Sequence, residues 1–294
     1  MRRALGTEKS GEALEGENLA RWAALTGLCC QAAGGNLTWA EDLTLAWLLF
    51  YAAAGIIDSV QDQDDPNAWW IEAGPEIALS AATGIYFSAS EAISRLQNHN
   101  TEQARLAAGE IIQDYYRTLL VMSSGQYTEL VTLEPTLDQY WKFVEAKSGA
   151  FFSLACRNGA RLATHEQPVI QAFSNYGMHL GLLIQILDDL DDIRMLQGPL
   201  AEDMIRKVRR GLPFIYALEV VDSAQKETLR ECIRPEKDTS NSIEAIVQIM
   251  DQCGAALYVL AEIEKQRGLA SEALKRTHAP ADQIIKLAAL VHDL

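Results

Sequence analysis

The chain has 294 residues, of which 49% are hydrophobic and 22% charged, and its 25 Lys and Arg against 40 Asp and Glu give a net charge of −15. This apolar content excludes a mainly disordered chain, and the negative charge argues against nucleic acid as a partner, because phosphate backbones are held by basic surfaces. The five cysteines have irregular spacing and no apolar leader precedes them, so we expect reduced thiols in a cytoplasmic protein.

Segments rich in Ala, Leu, Glu and Gln follow one another along the chain, and the alternation typical of β-strands is nearly absent. Turn signals predict breaks at 34–36, 64–67, 74–75, 98–101, 134–136, 166–168, 197–199 and 234–241, and a kink or break at 123–125. We therefore predict an all-α fold of about ten helices. The whole chain, 1–294, is predicted to form a single domain, with 1–15 as a flexible N-terminal arm.

The longest apolar run, 45–57, reads LAWLLFYAAAGII. A transmembrane helix needs about 20 such residues, so this run is interpreted as a buried core helix and no transmembrane segment is predicted.

Two acidic clusters each follow a strongly apolar segment. In the first, Asp58 and Asp62 are four residues apart, which places both carboxylates on one face of a helix. In the second, the spacing puts four polar side chains on one face: Gln185, Asp188, Asp189 and Asp192. Like charges at this spacing repel each other, more strongly when partly buried, so a cation between them is the simplest reason to keep them.

Oxygen ligands without His or Cys suit Mg²⁺, which completes its coordination with water and substrate phosphate oxygens. A solvated helix end would explain one acidic cluster equally well. Two clusters 130 residues apart, at 58 and 188, instead suggest two helices facing each other across a site. The residues therefore favour a diphosphate held by several Mg²⁺ ions.

The motifs resemble those of the trans-isoprenyl diphosphate synthase (polyprenyl synthetase) family from about Leu19 to the C-terminus. The sequence QILDDLDD matches the family's second aspartate-rich motif, Q-x-x-D-D-x-x-D, and the first cluster resembles D-D-x-x-D with Ser59 in place of the middle aspartate. Three shorter segments are similar in the same order: 125–130 to G-Q-x-x-D-L, 145–149 to K-T/S-G, and 203–213 to D…K-x-T-L-P.

This resemblance implies an isoprenoid synthase fold, a helical bundle around a central cavity, and ionisation of an allylic isoprenyl diphosphate with about three Mg²⁺ ions. It implies metal ligands at Asp58, Asp62, Asp188 and Asp192, with Asp189 as a supporting catalytic carboxylate. It also implies a diphosphate clamp and further substrate contacts from Lys147, Lys207 or Arg209, Gln185, Gln126 and Arg21. Homodimers are common in the family, and we expect one here.

Two basic segments of the chain-elongating members are missing. The family's R-R-G segment is replaced by 67–70, which reads NAWW, and only Arg21 remains of G-K-x-x-R. Since each charge-assisted phosphate contact is worth about 1.5–3 kcal/mol, we expect weak binding of isopentenyl diphosphate.

Four hypotheses stay open. The first hypothesis is a prenyl diphosphate synthase in which other basic residues substitute for the missing ones. The second is a prenyltransferase with a non-diphosphate acceptor. The segment from 34 to 70 supports the latter, since it resembles the bacterial pheromone tryptophan prenyltransferases of the ComQ type. The third hypothesis is a class I terpene cyclase, although the N-D-x-x-S-x-x-x-E motif of these cyclases is absent from the sequence. The fourth is a non-catalytic partner subunit.

Overall fold

The computed structural model describes residues 22–62, 68–196, 207–233 and 239–294. Its helices, in chain order, are α1 (Leu25–Ala32), α2 (Glu41–Asp62), α3 (Trp70–Ala73), α4 (Pro75–Ser94), α5 (Glu102–Val131), α6 (Leu137–Val144), α7 (Ala150–Arg161), α8 (Gln167–Met195), α9 (Leu212–Val220), α10 (Ser223–Cys232), α11 (Thr239–Gln252), α12 (Ala255–Lys275) and α13 (Ala281–His292). Short 3₁₀ turns lie at Leu37–Ala40 and Arg95–Asn98, and a π-helical turn at Glu145–Gly149 joins α6 to α7. Over these ranges there is no β-strand, so the all-α prediction is confirmed.

Most predicted breaks coincide with helix ends. The chain leaves α1 through Gly34 and enters α4 through Gly74, both at positive φ (97° and 101°), a conformation that glycine adopts without strain. Thr136 begins α6 with a capping box, in which its hydroxyl accepts from the Gln139 amide and the Gln139 side chain accepts from the Thr136 amide.

The sequence predicts a kink or a break at 123–125, and a break there is wrong, because α5 continues through the segment from Glu102 to Val131. Gly125 is buried where the helix meets the π-helical turn, and a Cβ there would lie 2.8 Å from Cβ of Ala146. This glycine therefore permits a close approach between two elements. Gly125 is therefore explained by tertiary packing against Ala146 and not by a turn.

Some predictions fall outside the described residues. These are the N-terminal arm, Arg21, Asp203, the breaks at 64–67 and 197–199, and residues 234–238 of the last predicted break.

Helix α8 is central to the bundle and packs against α7 and α12. Two of its glycines permit close contacts: a Cβ at Gly177 would overlap the Phe152 carbonyl oxygen of α7, and a Cβ at Gly181 would overlap the Ser148 carbonyl oxygen of the π-helical turn. Helices α2 and α4 also pack tightly, through fully buried alanines that include Ala53 and Ala82.

A second, smaller apolar cluster follows the carboxyl end of α8. It joins Leu196 and Val208 to buried residues of α9, α10 and α11, such as Phe214, Leu229 and Ile246. This cluster holds residues 207–211 beside the end of α8.

By length and composition alone, the segment Leu37–Asp62 is long and apolar enough to cross a membrane, and so is the bent pair Ser242–Gln252 and Ala255–Lys275 if taken as one span. Core helices of soluble proteins pass the same test. In the first segment 33% of the apolar window is buried, and its carboxyl end brings Asp58 and Asp62 to a polar cavity. The absence of a transmembrane segment stays a prediction.

Candidate active site

A cavity of about 700 Å³ opens between the carboxyl ends of α2, α5 and α8, the helix α6 with the π-helical turn, and residues 207–211. Its wall carries seven carboxylates and four cationic side chains: Asp58, Asp62, Glu129, Asp188, Asp189, Asp191, Asp192, Lys147, Lys207, Arg209 and Arg210. The two acidic clusters, distant in sequence, therefore share one cavity.

The first cluster is already neutralised by cations of the protein. Lys147 Nζ lies 2.6 Å from Glu129 Oε2 and 3.8 Å from Asp58 Oδ1, and Gln126 Nε2 donates to the same Asp58 oxygen over 2.9 Å. Arg210 reaches Asp62 Oδ1 at 3.3 Å. Burial and the neighbouring Asp58 raise the pKa of Asp62 even so.

The π-helical turn sets the position of Lys147. A π turn contains one residue more than an α turn, so it rotates the side chains that follow it, and such turns are frequent at functional sites. The Ser148 hydroxyl donates to Gln185 Oε1 over 2.9 Å and links the turn to α8. Burial lowers the pKa of Lys147, but Asp58 and Glu129 outweigh burial and hold that pKa above its ordinary value.

The second cluster lacks comparable neutralisation. Asp188 and Asp192 lie one turn apart near the end of α8, and in the part of the chain that the structure describes neither has an ion-pair partner. Burial, followed by the repulsion of Asp189 and the other aspartates, raises the pKa of each to about 7. Asp188 remains accessible to water in the cavity, although protein surrounds it on most sides.

Asp191 and Asp189 are directed differently. Asp191 lies at the exposed rim of the cavity and pairs with Arg194 at 2.6 Å. Asp189 is only 6% exposed and accepts hydrogen bonds from Tyr140, Leu212 and Gln185.

Nine of the side chains predicted from the sequence line this cavity: Asp58, Asp62, Lys147, Gln185, Asp188, Asp189, Asp192, Lys207 and Arg209. Gln126 lies beside them through its bond to Asp58, whereas Arg21 is outside the described residues. Burial lowers the pKa of Lys207.

Three residues were missed. Arg210 was passed over although it follows Arg209 in a recognisable segment, and Glu129 occupies the aspartate position of the G-Q-x-x-D-L-like segment. Tyr140 had no signal in the sequence, because its role depends on a contact with Asp189, 49 residues away.

The donor set fits a divalent cation that enters with a phosphate-bearing substrate. Among the described residues no three Asp, Glu, His or Cys side chains converge closely enough to hold a metal ion by themselves. Mg²⁺ does not require this, since it is usually held by one or two carboxylates plus water and substrate phosphate oxygens. The unneutralised pair Asp188 and Asp192 offers such ligands.

The sequence profile of the family described as "Polyprenyl synthetase" matches residues 21–250. The geranylgeranyl diphosphate synthase of Methanosarcina mazei is 26% identical over 79% of this chain and 71% of its own length. The tryptophan prenyltransferase ComQ of Bacillus subtilis subsp. natto is 27% identical, and that match covers 48% of this chain and 41% of that protein.

The fold is also that of a solved structure, the polyprenyl synthase from Caulobacter crescentus CB15 complexed with calcium and isoprenyl diphosphate. It superposes with a TM-score of 0.78 at 20% identity, over 93% of this chain and 83% of that one. The isoprenoid synthase fold is thereby confirmed.

The chain belongs to the polyprenyl synthetase family, whose members are metal-dependent prenyltransferases acting on isoprenyl diphosphates. The predicted family and class of enzyme are confirmed.

Proposed function

We propose that this protein ionises an allylic isoprenyl diphosphate with Mg²⁺ and transfers the prenyl group to an acceptor. The observation that carries the proposal is the pairing, in one cavity, of two carboxylate clusters with four cationic side chains. Carboxylates suit the metal, and the cations suit the diphosphate that the metal accompanies.

Asp58, Asp62, Asp188 and Asp192 are the proposed metal ligands, and about three Mg²⁺ ions are proposed with the bound diphosphate. Bound Mg²⁺ would polarise the leaving diphosphate and stabilise its developing negative charge.

The protein's own cations complete the diphosphate site. Lys147 would exchange its contacts with Glu129 and Asp58 for diphosphate oxygens, and Lys207, Arg209 and Arg210, which line the same cavity, would contact the same group. This arrangement holds the leaving group from two sides and excludes water from the carbon that carries it.

The acceptor side of the site favours a second candidate, an acceptor without a diphosphate. From residue 22 to residue 94 the sequence contains nine Asp and Glu but no Lys, Arg or His. In addition, Ser59, which replaces the middle aspartate of the family's first motif, is bound by a residue of the segment that replaces R-R-G: Trp70 Nε1 donates to Ser59 Oγ over 3.0 Å. These helices supply no cation for a second diphosphate.

Incubation of the protein with Mg²⁺ and C10, C15 or C20 allylic diphosphates tests the proposal. Each substrate is offered alone, with isopentenyl diphosphate, and with a tryptophan-containing peptide. A longer diphosphate supports a synthase, and a prenylated peptide supports the second candidate. A hydrocarbon or alcohol from the single substrate indicates a cyclase, and inertness throughout would indicate a non-catalytic partner subunit and overturn the proposal.

We also propose a homodimer formed through α4 and α5. These two helices expose several large apolar side chains: Phe87, Leu106, Tyr116, Leu120, Val121, Tyr127 and Val131. Leu120 and Tyr127 are 71% and 69% exposed, and apolar faces of this extent usually mark interfaces.

Light scattering after size-exclusion chromatography tests the dimer, with a mass of twice 32.4 kDa expected for the wild type. Leu120→Glu is expected to give the monomer mass. Leu257→Glu, which changes a leucine of 74% exposure on α12, is the matched control and should stay dimeric. A monomeric wild type would contradict the proposed homodimer.

We further propose that residues 1–294 form a single domain and that the protein has a cytoplasmic location.

A further inference from the structure

The second aspartate of the second cluster, Asp189, lines the cavity, but its carboxylate is bound mainly by the protein. Asp189 Oδ2 accepts the Tyr140 hydroxyl over 2.6 Å and the Leu212 backbone N–H over 2.7 Å. Asp189 Oδ1 accepts Gln185 Nε2 over 3.1 Å. With three donors on a carboxylate that is 6% exposed, little of its surface is left for a metal ion.

These contacts join four elements at one point. Tyr140 belongs to α6, Asp189 and Gln185 to α8, and Leu212 is the first residue of α9. Ser148 of the π-helical turn enters the same network by donating to Gln185. A network that ends on a buried carboxylate fixes the elements it joins, because losing any donor leaves a buried charge less well compensated.

The bond to Leu212 also replaces a helix cap. Gly211 precedes α9 and has no side chain to cap it, and Pro213 has no N–H to satisfy. The Leu212 N–H is therefore one of the few free donors at this helix start, and a carboxylate is the favoured partner there. Asp189 thus ties the start of α9, and with it the preceding cations at 207–210, to the helix that carries Asp188 and Asp192.

We infer that Tyr140 is a positioning residue for the reaction. Through the buried Asp189 it sets the distance between the carboxylates of α8, which are proposed to hold the metal, and the cationic segment before α9, which is proposed to hold the diphosphate. The inference rests on the proposed function for its catalytic meaning. The junction itself, formed by Tyr140, Asp189 and Leu212, is testable without turnover.

The first test compares Tyr140→Phe with Tyr176→Phe. Both variants keep an aromatic ring and lose one buried hydroxyl bond, since Tyr176, also buried, donates to the Leu287 carbonyl over 2.8 Å. Tyr176 lies twelve residues before Asp188 on α8, roughly 18 Å along the helix, and so serves as the matched control.

Both variants should melt at a lower temperature than the wild type, to a similar extent. In Tyr140→Phe alone we expect hydrogen–deuterium exchange to accelerate in peptides spanning 207–217. We also expect kcat with an allylic diphosphate and Mg²⁺ to fall about tenfold while KM changes less than about threefold, since misplacement of the two walls costs most when charge develops.

The second test separates a positioning carboxylate from a metal ligand. In Asp189→Asn the amide oxygen still accepts from Tyr140 and Leu212, and a flipped Gln185 amide accepts from the new NH₂ group. Asp189→Asn is therefore expected to keep kcat within about tenfold of the wild type, whereas Asp188→Asn loses it.

Two outcomes would overturn the inference. One is a Tyr140→Phe variant that matches Tyr176→Phe in exchange or in kcat. The other is an Asp189→Asn variant as inactive as Asp188→Asn. A wild type that turns over no allylic diphosphate would overturn the proposed function instead, and the exchange at 207–217 would still decide whether the junction exists.

Discussion

The two acidic clusters of the cavity look alike in sequence but differ in how their charge is balanced. Asp58 and Asp62 lie within reach of Lys147 and Arg210, so the first cluster is compensated by the protein. Asp188 and Asp192 face the cavity with raised pKa values and no cationic partner in the part of the chain that is described. The first cluster therefore has its charge compensated by the protein, whereas the second cluster is arranged for a cation that comes from outside.

The largest expected effect is at the second cluster. Asp188→Ala should abolish allylic diphosphate turnover, a loss of roughly a thousandfold or more, because it removes a proposed metal ligand. Turnover is measured with saturating Mg²⁺. The matched control is Asp191→Ala, which removes the same charge from the exposed rim of the cavity, where Asp191 pairs with Arg194, and should change turnover far less. Unchanged turnover in Asp188→Ala would contradict the metal assignment.

Lys147→Gln should have the next largest effect. It removes one charge-assisted contact to the diphosphate, worth about 1.5–3 kcal/mol, so kcat/KM should fall roughly 10- to 100-fold. Lys142→Gln, on the exposed side of α6 where Lys142 pairs with Asp138, is the control. Equal effects of the two substitutions would show that Lys147 has no role beyond general charge.

Arg210→Gln should cause a smaller loss. Arg210 already forms an ion pair with Asp62, and Lys207 and Arg209 remain in the same cavity. We expect kcat/KM to fall by about tenfold or less. The apparent affinity for Mg²⁺ should not fall, because Asp62 loses a competing cation and keeps its own negative charge. A loss larger than that of Lys147→Gln would make Arg210 the principal clamp and reverse the order proposed here.

The smallest effect concerns pH and stability. In the metal-free protein the pKa of Asp188 is raised from 3.8 to about 7. The folded state therefore binds more protons than the unfolded state between these values, and the stability is lost as pH rises through 7. Allowing for the cavity water that screens Asp188, the change from pH 6 to pH 8 is on the order of 1 kcal/mol.

Thermal melts in EDTA at pH 6 and pH 8 measure this change. The wild type should melt at a lower temperature at pH 8, and Asp188→Asn should show a weaker dependence. Addition of Mg²⁺ with inorganic pyrophosphate should reverse the trend, because a cation favours the ionised carboxylates. A wild type that is more stable at pH 8 in EDTA would contradict the assignment.

The fold and both clusters could be predicted because they rest on local signals. Gly34 follows the carboxyl end of α1, and Gly74 with Pro75 marks the start of α4. The four-residue spacing of Asp58 and Asp62 fixes their shared face. The same local reasoning failed at Gly125, where the small residue serves contact with Ala146.

The remaining errors have the same physical origin. Asp189 shares a helical face with Asp188 by spacing, yet only Tyr140 and Leu212 determine that its carboxylate is held inside the wall. Arg210 and Arg209 are adjacent cations in the sequence, and the ion pair with Asp62, 148 residues away, distinguishes them. Such roles depend on distant partners that one sequence does not display.

The π-helical turn at Glu145–Gly149 also has a consequence for engineering by deletion. The turn contains one residue beyond the α-helical repeat, so removal of Ala146 would leave a regular helix that runs from α6 into α7. The segment before the deletion would rotate by about 100° relative to α7. Lys147 and Tyr140 would then no longer meet Glu129 and Asp189 together, although no charged group would have been removed. The rotation of α6 relative to α7, which the π-helical turn sets, therefore decides whether Tyr140 and Lys147 reach the same cavity.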